Sequence, residues 1–291
     1  MRIHRLKNEW LEITVADKGA ELQSIFSTVQ NRECLWQGDA TYWNRKAPVL
    51  FPFVGKLKNN RYTHKGKEYT VGQHGFARDM EFTLIEQSPN QLHYSTDFNE
   101  ETLTVYPFRF RLEIIYTLHQ HTITCSWRVH NIGNEEMYFS IGAHPGFFCP
   151  FHNHEYLTDF YLEFSEAETT ERCLLNEGIF NGQTEKVFQH SHTIELHDDL
   201  FLKDAIVLKH INSSQVTLKS KRNNAHSVGM TFNNFPYLGI WKKPGSNFLC
   251  IEPWHGLADN NTHTGDLINK EGILYLSPYH HFETSYSISI F

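Results

Sequence analysis

Arg109-Phe-Arg-Leu-Glu-Ile-Ile-Tyr-Thr-Leu118 and Thr122-Ile-Thr-Cys-Ser-Trp-Arg-Val129 are separated only by His119-Gln-His121. In the first run Phe110, Leu112, Ile114, Tyr116 and Leu118 take alternate positions; in the second Ile123, Cys125, Trp127 and Val129 do. A period of two is that of a β-strand with one buried face, and the short break joins the runs as an antiparallel hairpin. The same alternation marks Leu11, Ile13 and Val15 near the start and Tyr286, Ile288 and Ile290 at the end. Shorter strands are expected at 81–86, 160–164, 205–209, 227–232, 238–241 and 248–251. No window keeps a helical stripe, so helices should be few and short. Many close antiparallel strands mean a sandwich or barrel. No linker, compositional break or fixed-period repeat interrupts the chain, so residues 1–291 are expected to form a single all-β domain.

With 40% hydrophobic and 14% aromatic residues, the 291-residue chain can fill a sizeable core, which excludes global disorder. Its 26 basic against 33 acidic residues leave a net charge of −7, the wrong sign for a nucleic-acid partner. MRIHRLKNEW has no apolar run for a signal peptide. The longest apolar stretch, 47–54, is too short to span a bilayer. The expectation is a soluble cytoplasmic protein, a monomer or weak dimer, with no membrane partner. Five cysteines without a CxxC pair argue against a disulfide framework or a thiolate zinc site.

Nineteen histidines call for an explanation. The pairs His119/His121, His152/His154 and His190/His192 would share a strand face and could hold a metal, but they fall in turn-like sequence and read better as surface residues. No metal site is expected. His74, before Gly75, and His144, between Gly142 and Pro145-Gly146, are different: small, rigid neighbours fix a loop and leave room for a ligand. Each also reads as a solvated turn histidine. Glu252 follows the apolar run Phe248-Leu-Cys-Ile251, and Pro253 should end that strand. A carboxylate at the mouth of a core strand is partly desolvated, which raises its pKa toward that of a useful base. A strand-end glutamate pointing into water is the competing reading. Trp36, Trp43, Trp241, Trp254 and Phe51, Phe53, Phe147 and Phe148 supply flat apolar faces suited to a saccharide, or to the core. Elbow, dinucleotide, P-loop and HExxH motifs are absent from the sequence.

Seven segments, taken in order, resemble the aldose 1-epimerase (galactose mutarotase) superfamily, in particular its LacX-like branch, which is related to the hexose-6-phosphate 1-epimerases. They are Gly19-Ala-Glu-Leu-Gln-Ser24, Trp43 with Pro48-Val-Leu-Phe-Pro-Phe-Val-Gly55, His74-Gly-Phe-Ala-Arg78, Gly142-Ala-His-Pro-Gly-Phe147, Leu200-Phe-Leu-Lys-Asp204, Tyr237-Leu-Gly-Ile-Trp241 and Cys250-Ile-Glu-Pro-Trp254. The resemblance implies a galactose mutarotase-like β-supersandwich whose concave face binds a pyranose. It also implies cofactor-free interconversion of α and β anomers of an aldose or sugar phosphate. Carried over, Glu252 is the general base and His144 the general acid, on opposite sides of the hemiacetal. His74, Asp204, Arg78 and Trp241 bind substrate. The mutarotases proper carry an Asn-Arg pair where this chain has Gly55-Lys-Leu-Lys-Asn-Asn-Arg61, so either Lys56 or Arg61 takes that arginine's place. Arg45, Lys46, Lys56, Arg61 and Arg78 could form a cationic patch for a phosphate. The alternative is a non-catalytic sugar-binding module on the same fold.

Overall fold

The computed structural model describes residues 2–222 and 226–291. The hairpin that opens the sequence reading forms as strands Phe110–His119 and Thr122–Asn131, in register from Phe110 opposite Asn131 to His119 opposite Thr122. All nine alternating apolar residues are buried, at 0–3% exposure. The C-terminal strand His281–Ile290 adds to the hairpin's other edge. Around this centre nine strands form one antiparallel sheet. The expected strand at 81–86 forms two residues later, as Thr83–Ser88, on the edge of that sheet.

A second, eight-stranded sheet contains Ile206–Lys209, Tyr237–Trp241, Phe248–His255, Ile141–Ala143 and Val49–Leu50 as neighbours, with Gly146–Phe148 also paired to Phe248–His255. The fold is therefore an antiparallel β-sandwich of the expected class. Among the described residues one α-helix occurs, Glu100–Val105, capped by the Asn99 side chain on Thr102 N–H. No helix among them is long and apolar enough to cross a membrane.

One apolar cluster joins both sheets. Ile114, Trp127 and Ile288 come from the nine-stranded sheet; Leu208, Ile240, Leu249 and Ile251 come from the other. In the strand Phe248–His255 these odd-numbered residues point into the sandwich. The even-numbered Phe248, Cys250 and Trp254 pack outward, in two smaller clusters under the loops. All eight residues are buried. A strand covered on both faces reads as a continuous apolar run, so its unusual members are the polar ones.

Pro253 does not end this strand, contrary to the sequence expectation: it lies within it, opposite Leu238. The N–H of Ile251 points across to Pro145 O at 3.3 Å. Residues two apart direct their N–H groups the same way, so the missing donor of Pro253 faces the break between Ile141–Ala143 and Gly146–Phe148. A proline is tolerated where the ladder is already interrupted.

Trp127 is 1% exposed and packs against Phe235 and Tyr286. Trp127→Ala should cost about 3–5 kcal/mol in a urea-unfolding experiment, the range for truncating a buried aromatic.

Candidate active site

The break in the ladder is where two candidate residues meet. Gly142 pairs with Trp254 and Gly146 with Cys250, so one register holds on both sides of the interruption. That register sets residue 144 opposite residue 252. His144 Nε2 lies 3.3 Å from Glu252 Oε2. Glu252 is 1% exposed, in mid-strand rather than at a strand mouth. The two groups are neighbours, not set on opposite sides of a ligand as the sequence reading supposed. Glu252 Oε2 and His144 Nδ1 are buried without a hydrogen-bond partner in the folded chain. Such atoms are costly unless a ligand or proton completes them.

Both face a cleft of about 280 Å³ on the outer side of the eight-stranded sheet. The Trp254 indole lies across that sheet between Gly142 and Gly239. A Cβ at either glycine would overlap the ring, so both positions must lack a side chain. Trp43 stacks on His144 with ring centroids 4.7 Å apart, and Trp241 meets His144 edge-on at 5.7 Å. The Trp43 segment is held by Glu21, whose carboxylate accepts from the N–H groups of Lys46 and Ala47 at 2.9 Å.

His74 enters from the neighbouring loop. Its N–H donates to Gly55 O at 2.8 Å, and Gly55 N–H donates back to His74 Nδ1 at 3.1 Å. That bond leaves the proton of a neutral imidazole on Nε2. The His74 ring sits edge-on to His144 at 5.6 Å. Arg78 lines the cleft and donates from Nη2 to Gln73 O at 2.7 Å. Asp204 lines it as well, exposed, in a left-handed conformation (φ 70°) that aspartate tolerates better than most residues.

The remaining candidates disperse. Lys56 does not line the cleft; its ammonium donates to Glu177 O at 2.9 Å. Arg61 pairs with Glu68 on an exposed hairpin. Neither therefore stands in the cleft as the replacement arginine. Lys46 is tied to Gln23 O and Gln37. Of the supposed cationic patch, Arg78 lines the cleft; Arg45 is close enough for its charge to be felt by Arg78, His74 and His144, and pairs with Asp79. His255 points the other way, into the sandwich between Phe235 and Phe282, 3.2 Å from Thr284 Oγ1. His64 is buried too, against Phe108 and Tyr138, so it is not one of the surface histidines. The sequence reading did not single out Gln73, Leu175, Phe180 and Val207, which complete the wall. Phe180 and Val207 lie on strands whose alternation puts them on the outer face, a signal visible only once that face is known to be covered.

A family model for aldose 1-epimerase matches residues 2–272. The chain belongs to the aldose 1-epimerase family. The plasmid-borne protein LacX of Lactococcus lactis is 35% identical over 98% of both chains, and its chromosomal counterpart equally so. A galactose mutarotase related enzyme from Lactobacillus acidophilus superposes with a TM-score of 0.96, at 34% identity over 100% of this chain and 97% of the other. A galactose mutarotase-like protein from Lactobacillus casei gives 0.94 at 29% identity, over the whole of both chains.

In this member of the epimerase family, burial sets the site's protonation. It pushes Glu252 well above the usual carboxylate range, and the nearby Asp204 charge adds to the rise. Burial lowers His144 to about 3 and His74 well below the usual imidazole value. At neutral pH both imidazoles are therefore neutral, and Glu252 keeps its proton to a higher pH than an ordinary carboxyl.

A group whose folded pKa is raised stabilises the fold below its unfolded pKa and loses that contribution as pH rises. Glu252→Gln removes the loss. The melting temperature of the variant should exceed that of the parent by an amount that grows from pH 5 to pH 8, read by calorimetry. An unchanged difference would show that Glu252 is not held as a buried acid.

Proposed function

We propose that the protein is an aldose 1-epimerase that interconverts the α and β anomers of a hexose or hexose 6-phosphate by acid–base ring opening. The observation that carries this is the His144–Glu252 contact, two unsatisfied buried groups 3.3 Å apart at the floor of an aromatic cleft. A module that only bound sugar would gain nothing from burying a carboxyl group at such cost.

Anomerisation moves one proton from the anomeric O1 hydroxyl and delivers one to the ring O5. Both oxygens are bonded to C1, so two groups 3.3 Å apart can serve both. The pair holds one proton between them. Before substrate binds, burial keeps it on Glu252; transfer across the contact gives a carboxylate and an imidazolium. Glu252 then accepts the O1 proton while His144 protonates O5, and the C1–O5 bond breaks to the open aldehyde. Rotation about C1–C2 and the reverse transfers close the ring on the other face. His74 Nε2–H donates to a sugar oxygen, Asp204 accepts from hydroxyls, and Trp254, Trp43 and Trp241 cover the apolar C–H faces. The sequence reaches this without a cofactor. Arg78 beside Arg45 offers paired guanidinium charge to a phosphate group.

Polarimetry on fresh α-glucose, α-galactose and their 6-phosphates tests this. Glu252→Gln and His144→Asn should each lower kcat by roughly 10²–10⁴-fold, the usual worth of a positioned acid or base. A parent protein that relaxes none of these sugars faster than buffer refutes the reading, and the ratio of rates on glucose and glucose 6-phosphate assigns the substrate.

The pH profile gives a second test. His144 remains neutral down to about 3, so kcat/KM should stay level as pH falls through 6.5. It should decline on the alkaline side, where the pair loses its shared proton. A midpoint at the ordinary imidazole value would contradict this assignment.

A further inference from the structure

We propose that His144, Cys250 and Glu252 form a site for a zinc-class divalent ion, and that such an ion, once bound, blocks sugar turnover. Register explains the arrangement. Cys250 and Glu252 are two apart on one strand and share its outer face, while His144 stands opposite Glu252. One nitrogen, one sulfur and one oxygen donor from these side chains lie within 4.8 Å of one another. Zinc bonds of about 2.0–2.3 Å at tetrahedral angles place neighbouring donors roughly 3.3–3.6 Å apart. The His144–Glu252 separation is already 3.3 Å, so only a small inward movement of the thiol is needed. Gly146, the backbone partner of Cys250, adds no side chain to the crowded space that Trp43, Trp36 and the sulfur share.

Glu252 Oε2, which faces His144 Nε2, is buried without a hydrogen-bond partner. His144 and Glu252 line the cleft, and Cys250 lies behind them, fully buried. An ion entering from the cleft would meet the imidazole and carboxyl first and the thiol last, leaving a fourth position open toward the cleft. Binding displaces the thiol proton and the carboxyl proton to solvent. One divalent cation on two anionic ligands and a neutral imidazole carries no net charge, which suits a buried site. The three residues are not offered as a catalytic metal centre: the ion would occupy the two groups that the proposed proton transfers need.

The binding claim stands on geometry; the inhibitory consequence rests on the epimerase reading. The test therefore uses two readouts. Cobalt(II) added to the full-length parent protein should give a sulfur-to-cobalt charge-transfer band, absent in Cys250→Ala and in the near-isosteric Cys250→Ser. In polarimetry, zinc should inhibit the parent reversibly with respect to a chelator. The zinc concentration for half-inhibition should rise at least about tenfold in either variant, since loss of even a supporting group costs 10–100-fold in metal affinity. No thiolate band in the parent, or equal zinc sensitivity in parent and variants, overturns the site. A band in a protein that anomerises no sugar upholds the metal site and overturns only the epimerase reading.

Discussion

A single strand register, carried unbroken across an interrupted ladder, is the constraint on which the site depends. Because Gly142 faces Trp254 and Gly146 faces Cys250, the residues between them have no freedom to choose partners. His144 is presented to Glu252 as a cross-strand neighbour would be, although no regular strand pairing occurs at that point. Pro145 and Pro253 each follow one of these residues. A proline cannot donate to a ladder, so the two sit where a break is required and help to keep it open. Gly142 and Gly239 complete the arrangement by letting the Trp254 ring lie flat beside the pair. The chemistry-bearing atoms are thus positioned by the sheet, and the loops serve chiefly to cover them.

Covering them is itself a structural problem, since the outer face of an eight-stranded sheet must be roofed by irregular chain. Two carboxylates hold that roof, one half-buried and one buried. Glu21 binds the backbone at Lys46 and Ala47, which keeps Trp43 over His144. Asp259 accepts from Lys58 N–H and from the Lys270 ammonium, which also reaches Leu257 O. Lys270 and Asp259 are each about 1% exposed, and each is hydrogen-bonded beyond the other, the condition under which a buried ion pair is tolerable. By contrast Glu252 and His144 are left incomplete. The Asp259–Lys270 pair that holds the roof is fully partnered while the Glu252–His144 pair facing the cleft is not, a contrast expected where stability is given up locally for a site.

The fold was legible where one face of a strand meets core and the other meets water. Ile123 to Val129 alternate throughout and Phe110 to Leu118 do so except at Ile115, so their faces could be assigned from sequence. Legibility failed at Pro253. A proline after an apolar run ordinarily marks a strand end, and only the gap in the neighbouring ladder, a tertiary feature, makes it tolerable inside one. The same limit explains the misplaced depth of Glu252. For the loop cations the difficulty was different. Lys56 and Arg61 lie in a motif-like stretch, but a long side chain can satisfy its charge in any direction. Lys56 turns to Glu177 O and Arg61 to Glu68. Gly-flanked histidines were informative because their neighbours restrict the backbone; His255 and His64 had no such signature and proved to be core residues.

A neutral carboxyl beside a neutral imidazole differs in consequence from a preformed ion pair. A buried ion pair would be stabilised by its own attraction, and a sugar hydroxyl entering between the charges would have to disrupt it. The neutral pair has little to lose. Glu252 Oε2 and His144 Nδ1 lack partners within the chain, so in the proposed reaction an incoming hydroxyl and ring oxygen would complete the pair while the charge-separated form develops only as the proton moves. Aromatic walls reinforce this by excluding water, which would otherwise solvate and stabilise the charged form before substrate arrives. The same burial that lowers His144 and raises Glu252 therefore serves one end under the proposed reaction: it holds the proton on Glu252 and leaves His144 a neutral acceptor until substrate arrives. Transfer across the contact and back would then restore the same starting state whichever anomer enters, so the proposed cycle runs in either direction.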